Sequence, residues 1–197
     1  QNPQLAMPPA DALYVVAGQQ AGLLTGPLYT ILKAATIIRL ARELGQRLDR
    51  PVLPLFWIAG EDHDLLEVNR VTIARRPYVH HYTGDLSRGK APQVGTVSLA
   101  DQKAPLREFL LEYLPRTEFR SGLLATYDSA DFSTYTSAFQ SLMQDLFADY
   151  ELRLFDPIAA RPLTAPILAQ LIEQWPAVIE GLAEGKKRRG LSLLQGV

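Results

Sequence analysis

LYVVAGQQAGLLTGPLYTILKA at residues 13–34 and PVLPLFWIAGEDHD at residues 51–64 are the stretches on which the fold turns. LYVVA at 13–17 is a short apolar run with two valines and a tyrosine, preceded by Pro8 and Pro9 and followed by Gly18. Such a run reads as a buried strand of a parallel sheet, which needs helices on both faces. Pro27 suits the first position of a helix, where its missing N–H costs nothing. From there Leu28, Ile31, Leu32, Ala35, Ile38 and Ala41 recur with a helical period, and Gly45 is the expected end. PVLPLFWI at 51–58 is a second buried strand, with its prolines near the start, where a ladder donor is least missed. Strand, long helix, strand is a βαβ unit. Its right-handed crossover brings the C-terminal ends of both strands to one edge of the sheet, so the loops after them are expected to converge.

Farther along, VNRVTI at 68–73 alternates like a strand, and residues 94–99 read as another short one. Residues 101–114 form a helical pattern with Leu106, Phe109, Leu110 and Leu114 on one face, stopped by Pro115. Asp131 is the expected N-cap of a helix reaching about Ala148, whose stripe Phe132, Tyr135, Phe139, Leu142, Met143, Leu146 and Phe147 marks a core face. LRLFD at 152–156 predicts a further parallel strand ending at Pro157. A last helical pattern spans 167–182, interrupted by Pro176, which either kinks the helix or starts a new one. The expected division is an α/β core over residues 1–160 and a helical extension over 161–197.

Composition narrows the function classes. The 197 residues are ample for one domain with a real core. Twenty Lys and Arg against 21 Asp and Glu leave a net charge of −1, without the gross positive field of an electrostatic nucleic-acid binder. The absence of cysteine removes a disulfide framework, a cysteine nucleophile and every thiolate metal site, and fits a reducing compartment. No stretch is long and apolar enough for a membrane span, and the first residues lack a signal peptide's basic and apolar regions. A soluble intracellular protein that binds neither nucleic acid nor membrane is therefore expected. The first residue is Gln, which suggests a piece of something longer.

Two loops carry candidate chemistry. Gly18, Gly22 and Gly26 space a strand-to-helix loop as GxxxGxxxG, which matches neither the dinucleotide fingerprint nor the P-loop. Glycines allow close backbone approach and a helix start favours an anion, so a phosphate or carboxylate fits; a tight turn serving packing alone is the alternative. Gln19, Gln20, Thr25 and Tyr29 would add neutral hydrogen bonds, and Lys33 adds charge if it faces the pocket. The second loop, Glu61, Asp62, His63 and Asp64, puts four titratable groups in a row. Repulsion is expected to raise some of their carboxyls, while the acids favour protonated His63. The group suits acid/base work, an ammonium or Mg²⁺, with Glu67 able to share a helix face with His63; a solvated capping turn is the alternative. One histidine without HExxH gives zinc little support, and no metal site is expected. His80 and His81 read as exposed polar edge residues, and the basic run at 186–189 as a solvated helix end.

These two loops resemble blocks of the bacillithiol biosynthesis cysteine-adding enzyme family, in GQQAGLLTGPLYTILKA at 18–34 and PVLPLFWIAGEDHDLLEVNRV at 51–71. Weaker similarity continues through residues 127–157, and all but about the last dozen residues are covered. The resemblance implies a Rossmann-like core, mostly parallel sheet with flanking helices as in nucleotidyltransferase-like enzymes, with a coiled-coil domain elsewhere in a longer bacterial protein. It implies a ligase that joins L-cysteine to glucosaminyl-malate. Carried over by position, Gly18, Gln19, Gln20, Gly22, Thr25, Gly26 and Pro27 match the first block, and Glu61, Asp62, His63 and Asp64 the second. Catalytic roles are expected for His63, Asp62 and Asp64, with ATP and Mg²⁺ as the cofactor expectation. Two other readings stay open: a non-catalytic binding or assembly fragment, in which a homo-oligomer is one form, and a nucleotidyltransferase of another substrate class.

Overall fold

A computed structural model describes residues 7–87 and 89–189 of the chain, with the side chains of 186–189 outside that description. The basic run at 186–189 therefore lies outside the described side chains. Contacts divide the chain into two compact units, residues 1–158 and 159–197.

The first unit is built on strand β1 (Leu13–Gln19), helix α1 (Leu28–Leu48) and strand β2 (Val52–Ile58), with β1 and β2 parallel over their full length. Strand β5 (Arg153–Phe155) pairs parallel with the other edge of β2, giving the sheet order β1-β2-β5. The fold is the expected α/β arrangement of a parallel sheet with helices. Between β2 and β5 the chain forms the short helix α2 (Leu65–Val68), an antiparallel hairpin of β3 (Arg70–Ile73) and β4 (Arg76–Val79), and helices α3 (Lys103–Tyr113), α4 (Arg120–Ser129) and α5 (Tyr135–Leu146).

The expectation that β1 is buried on both faces is corrected. Val15, Ala17, Phe56, Ile58 and Leu154 point into the core, where the rings of Phe56 and Phe139 of α5 lie 6.1 Å apart. The residues between them project from the other face, and there Tyr14, Val16 and Trp57 are 43, 54 and 37 % exposed. The buried face of α1 also differs from the apolar stripe. Thr30, Ala34, Ile37 and Ala41 are buried, whereas Leu28 and Leu32 are exposed. Their spacing is helical too, and three of the four are small, which lets the helix lie close on the sheet. Gly45 does not end α1; the turn comes at Asp49, in the left-handed conformation with φ 48°.

Two further expectations are corrected, and two elements go beyond them. Residues 94–99 are not a strand: Val94–Thr96 is a single 3₁₀ turn, and Ser98 makes one isolated bridge to Thr134. Asp131 does not cap α5. It accepts the Ser133 N–H at 2.8 Å in a turn, and Thr134 is the cap, accepting from the Ser137 N–H at 3.1 Å. Helix α4 carried no expectation. The last helical pattern is two helices, α6 (Pro157–Glu173) and α7 (Trp175–Arg189), with Pro176 at the second residue of α7, where its missing donor is tolerated.

Candidate functional site

Gln19 and Ile58 end the paired strands side by side, and the Ala59 N–H donates to the Gln19 carbonyl at 2.9 Å. Both candidate loops thus leave one edge of the sheet, as a βαβ unit requires. A direct bond joins them: the Gln20 side-chain amide donates to Asp62 Oδ2 at 2.6 Å.

The glycine loop folds back on itself. A Cβ on Gly22 would stand 2.9 Å from the Gly26 Cα, and Gly26 has φ +74°. Between them Leu24 and Thr25 also take positive φ, 50° and 72°, which for a β-branched threonine is a strained conformation of the kind found in functional loops. Pro27 is the N-cap of α1 and not its first residue as expected; the helix begins at Leu28 with no side-chain cap and no acidic residue in the first turn. Lys33 does reach the loop: its ammonium donates to the Gly18 carbonyl at 3.0 Å and to Gln19 Oε1 at 2.9 Å, and lies 4.8 Å from the Tyr29 ring centre.

The acidic loop is organised around Asp62. Its Oδ1 accepts the His63 N–H at 2.6 Å and the Asp64 N–H at 3.3 Å. Burial alone would push the Asp62 carboxyl up, but the Gln20 amide, these two N–H groups and the neighbouring His63 hold it below the usual carboxylate range. Asp62 is therefore not one of the carboxyls that crowding raises, because donors outnumber like charges around it. Glu61 accepts the Trp57 indole N–H at 3.3 Å. His63 and Asp64 are exposed. Behind the loop, the Val94 N–H donates to the Asp62 carbonyl at 2.7 Å and the Gly95 N–H to the Gly60 carbonyl at 2.8 Å.

A cleft of about 520 Å³ opens beside the glycine loop. One wall is Gln19, Gln20, Gly22, Gly26, Pro27 and Leu28; the other is Glu67, Val68, Arg70, Val71 and Thr72. Among the expected site residues, Gln19, Gln20, Gly22 and Gly26 line it. Asp62 joins through Gln20. Thr25 turns away and lines a smaller apolar pocket with Leu24, Ile73 and Leu110. Tyr29 is 63 % exposed beneath Lys33. His63, Asp64 and Glu61 stand on the acidic loop outside the lining of the cleft. Sequence reasoning missed Arg70 and the clamp from residues 94–95. The signal for Arg70 was a cation within VNRVTI, six residues past the acidic loop. Among the described residues no group of three or more His, Asp or Glu is placed to hold a metal.

The profile of the family described as bacillithiol biosynthesis BshC, N-terminal Rossmann-like domain, matches residues 5–190. The chain belongs to that family. Among similar proteins, three are each named "Putative cysteine ligase BshC". The one from Shouchella clausii (strain KSM-K16) is 41 % identical over 190 residues, covering 90 % of this chain and 34 % of its own. That from Geobacillus kaustophilus (strain HTA426) is 34 % identical over 180 residues, covering 83 and 31 %. That from Bacillus cereus (strain B4264) is 37 % identical over 175 residues, covering 85 and 32 %. The chain spans about a third of the length of these BshC relatives. No helix among its described residues is long and apolar enough to cross a membrane.

Proposed function

We propose that this chain supplies the substrate cleft of a bacterial cytoplasmic ligase that adds L-cysteine to glucosaminyl-malate, the last step toward bacillithiol. The observation that carries this reading is the 2.6 Å bond from Gln20 to Asp62, which ties the two family-like loops into one site beside the cleft. Amide formation from a carboxylate and an amine is uphill unless the carboxylate is activated. ATP, when bound, supplies a phosphate-based leaving group on that carboxylate. The uncapped start of α1 and the glycine loop fit such an anion, since free N–H groups and the helix dipole favour negative charge. Mg²⁺, when bound with the nucleotide, would offset phosphate charge; among the described residues no group of three or more His, Asp or Glu is placed to hold it without those phosphates.

Asp62, held as an anion, is suited to orient an ammonium group at the mouth of the cleft, not to give up a proton. In this reading His63, exposed on the same turn, takes the proton that the amine loses on attack, and Asp64 assists the amine's approach. Cysteine addition and nucleotide consumption by the full-length protein test this. His63→Ala is expected to lower turnover by roughly 10²–10⁴-fold, the range of general acid/base catalysis. Asp62→Asn and Asp64→Ala are expected to lower it as well. Unchanged turnover in His63→Ala and Asp64→Ala would remove the roles assigned to them. A second reading, a binding or assembly fragment, is supported by the open sheet face at Tyr14, Val16 and Trp57; substrate binding without turnover by the full-length protein would favour it.

A further inference from the structure

We propose that Arg70 and the first turn of α1 form an oxyanion subsite in the cleft, with Arg70 as its specificity-determining charge. This rests on the reading of the cleft as the substrate site and names what grips the anionic end of the substrate, a carboxylate or a phosphate.

Three observations converge. Arg70 lines the wall opposite the glycine loop, anchored by one N–H to the Leu66 carbonyl at 2.9 Å. It forms no ion pair among the described residues, so the rest of its guanidinium fork is available for bidentate recognition. Facing it, Gly26, Pro27 and Leu28 bring the start of a 21-residue helix to the same cleft, uncapped and without an acid in its first turn. Thr30, on that turn, is wholly buried, and its Oγ1 has no hydrogen-bond partner. That oxygen stands 3.6 Å from where a Cβ on Gly26 would be, so it lies directly behind this glycine of the cleft wall. A buried hydroxyl without a partner is costly, and an oxyanion, or the water it carries, would satisfy it. Glu67, on the wall beside Arg70, favours a ligand that also carries an ammonium.

The test is calorimetric titration of the full-length protein with L-malate, L-cysteine and inorganic phosphate separately, alongside KM and kcat for cysteine addition. The variants are Arg70→Gln, Arg70→Lys and Thr30→Val. Loss of a charge-assisted bond is expected to weaken at least one ligand roughly tenfold or more in Arg70→Gln, with Lys recovering part. KM rises more than kcat falls. The ligand affected identifies the source of the anion. Thr30→Val should raise the melting temperature of the ligand-free protein while weakening the same ligand, a pairing that a purely structural hydroxyl would not give. The subsite is overturned if the wild type binds none of the three, or if all bind Arg70→Gln within about twofold of wild type. Should Arg70→Gln fail to fold, unchanged affinities in both Arg70→Lys and Thr30→Val overturn it instead. Arg70-dependent binding without any cysteine addition would sink the ligase reading and leave the subsite standing. Turnover with an unchanged KM in Arg70→Gln would do the reverse.

Discussion

Gln20 and His80 show how single side chains set the chemistry of this domain. Gln20 holds the Asp62 carboxylate as an anion by donating to it, so Gln20→Ala should let the Asp62 pKa climb toward the ordinary carboxylate range. A carboxyl-directed NMR titration reads this; an unmoved Asp62 would show that the N–H groups of His63 and Asp64 suffice. His80 is 5 % exposed, with Nδ1 2.8 Å from the Tyr135 hydroxyl, and it exchanges bonds with Asn69 through backbone and side-chain amide. Its pKa is lowered, by burial first and by His81, against the pull of Asp101. The unfolded chain therefore binds a proton at His80 more readily than the folded one. Stability from this group is full above the unfolded pKa of about 6.5 and is lost as pH falls below it toward the folded value. Urea midpoints between neutral pH and mildly acidic pH should fall, and His80→Gln should flatten that slope. Sequence placed His80 on an exposed edge because neighbouring histidines look alike in one dimension. Only the fold separates them: just past the end of β4 the chain buries His80 and exposes His81.

At the level of elements, legibility followed the strength of the period. Helix α5 was read from its stripe because Tyr135, Phe139, Leu142 and Met143 are all buried, and only Leu146 of that stripe is largely exposed. Helix α4 left no such trace: Tyr127 is its one buried residue, and Gly122 sits within it. Nothing lies within 4 Å of a Cβ at Gly122, so Gly122→Ala should stabilise the protein by about 0.5–1 kcal/mol through helix propensity alone. Residues 94–99 misled because Val94, Val97 and Leu99 are indeed buried, yet their burial comes from a 3₁₀ turn clamped to the acidic loop. What forces that turn is tertiary. Gly60 and Gly95 pack together under Thr136, where a Cβ on Gly60 would be 2.6 Å from Thr136 Oγ1 and 3.3 Å from the Gly95 Cα. Gly60→Ala should therefore cost roughly 1–3 kcal/mol by overpacking, the opposite sign from Gly122→Ala. Chemical denaturation of the two variants checks both; equal effects would mean that glycine entropy, not contact, governs them.

For the molecule as a whole, the convergence of the two loops was legible from one inference, that a strand, a long helix and a second strand make a parallel pair. The parallel register of β1 on β2 bears it out. The state of the sheet's second face was not legible, since an apolar strand reads the same whether one or both faces are covered in the chain at hand. A parallel sheet is ordinarily covered on both faces, yet here Tyr14, Val16 and Trp57 remain open in a chain about a third as long as its relatives. Burial can be measured by what a charge costs. Val16 is 54 % exposed, so Val16→Lys in this 197-residue chain should shift stability by no more than about 1 kcal/mol, chiefly through the β-propensity lost in exchanging valine for lysine. The same substitution at the core-facing neighbour Ala17, which packs against the buried cluster, should cost several times as much, because an ammonium there has neither water nor partner. Denaturation midpoints of Val16→Lys and Ala17→Lys give the comparison directly. Similar, large losses in both would mean that the Tyr14 face is covered after all, and the one-sided sheet would be wrong.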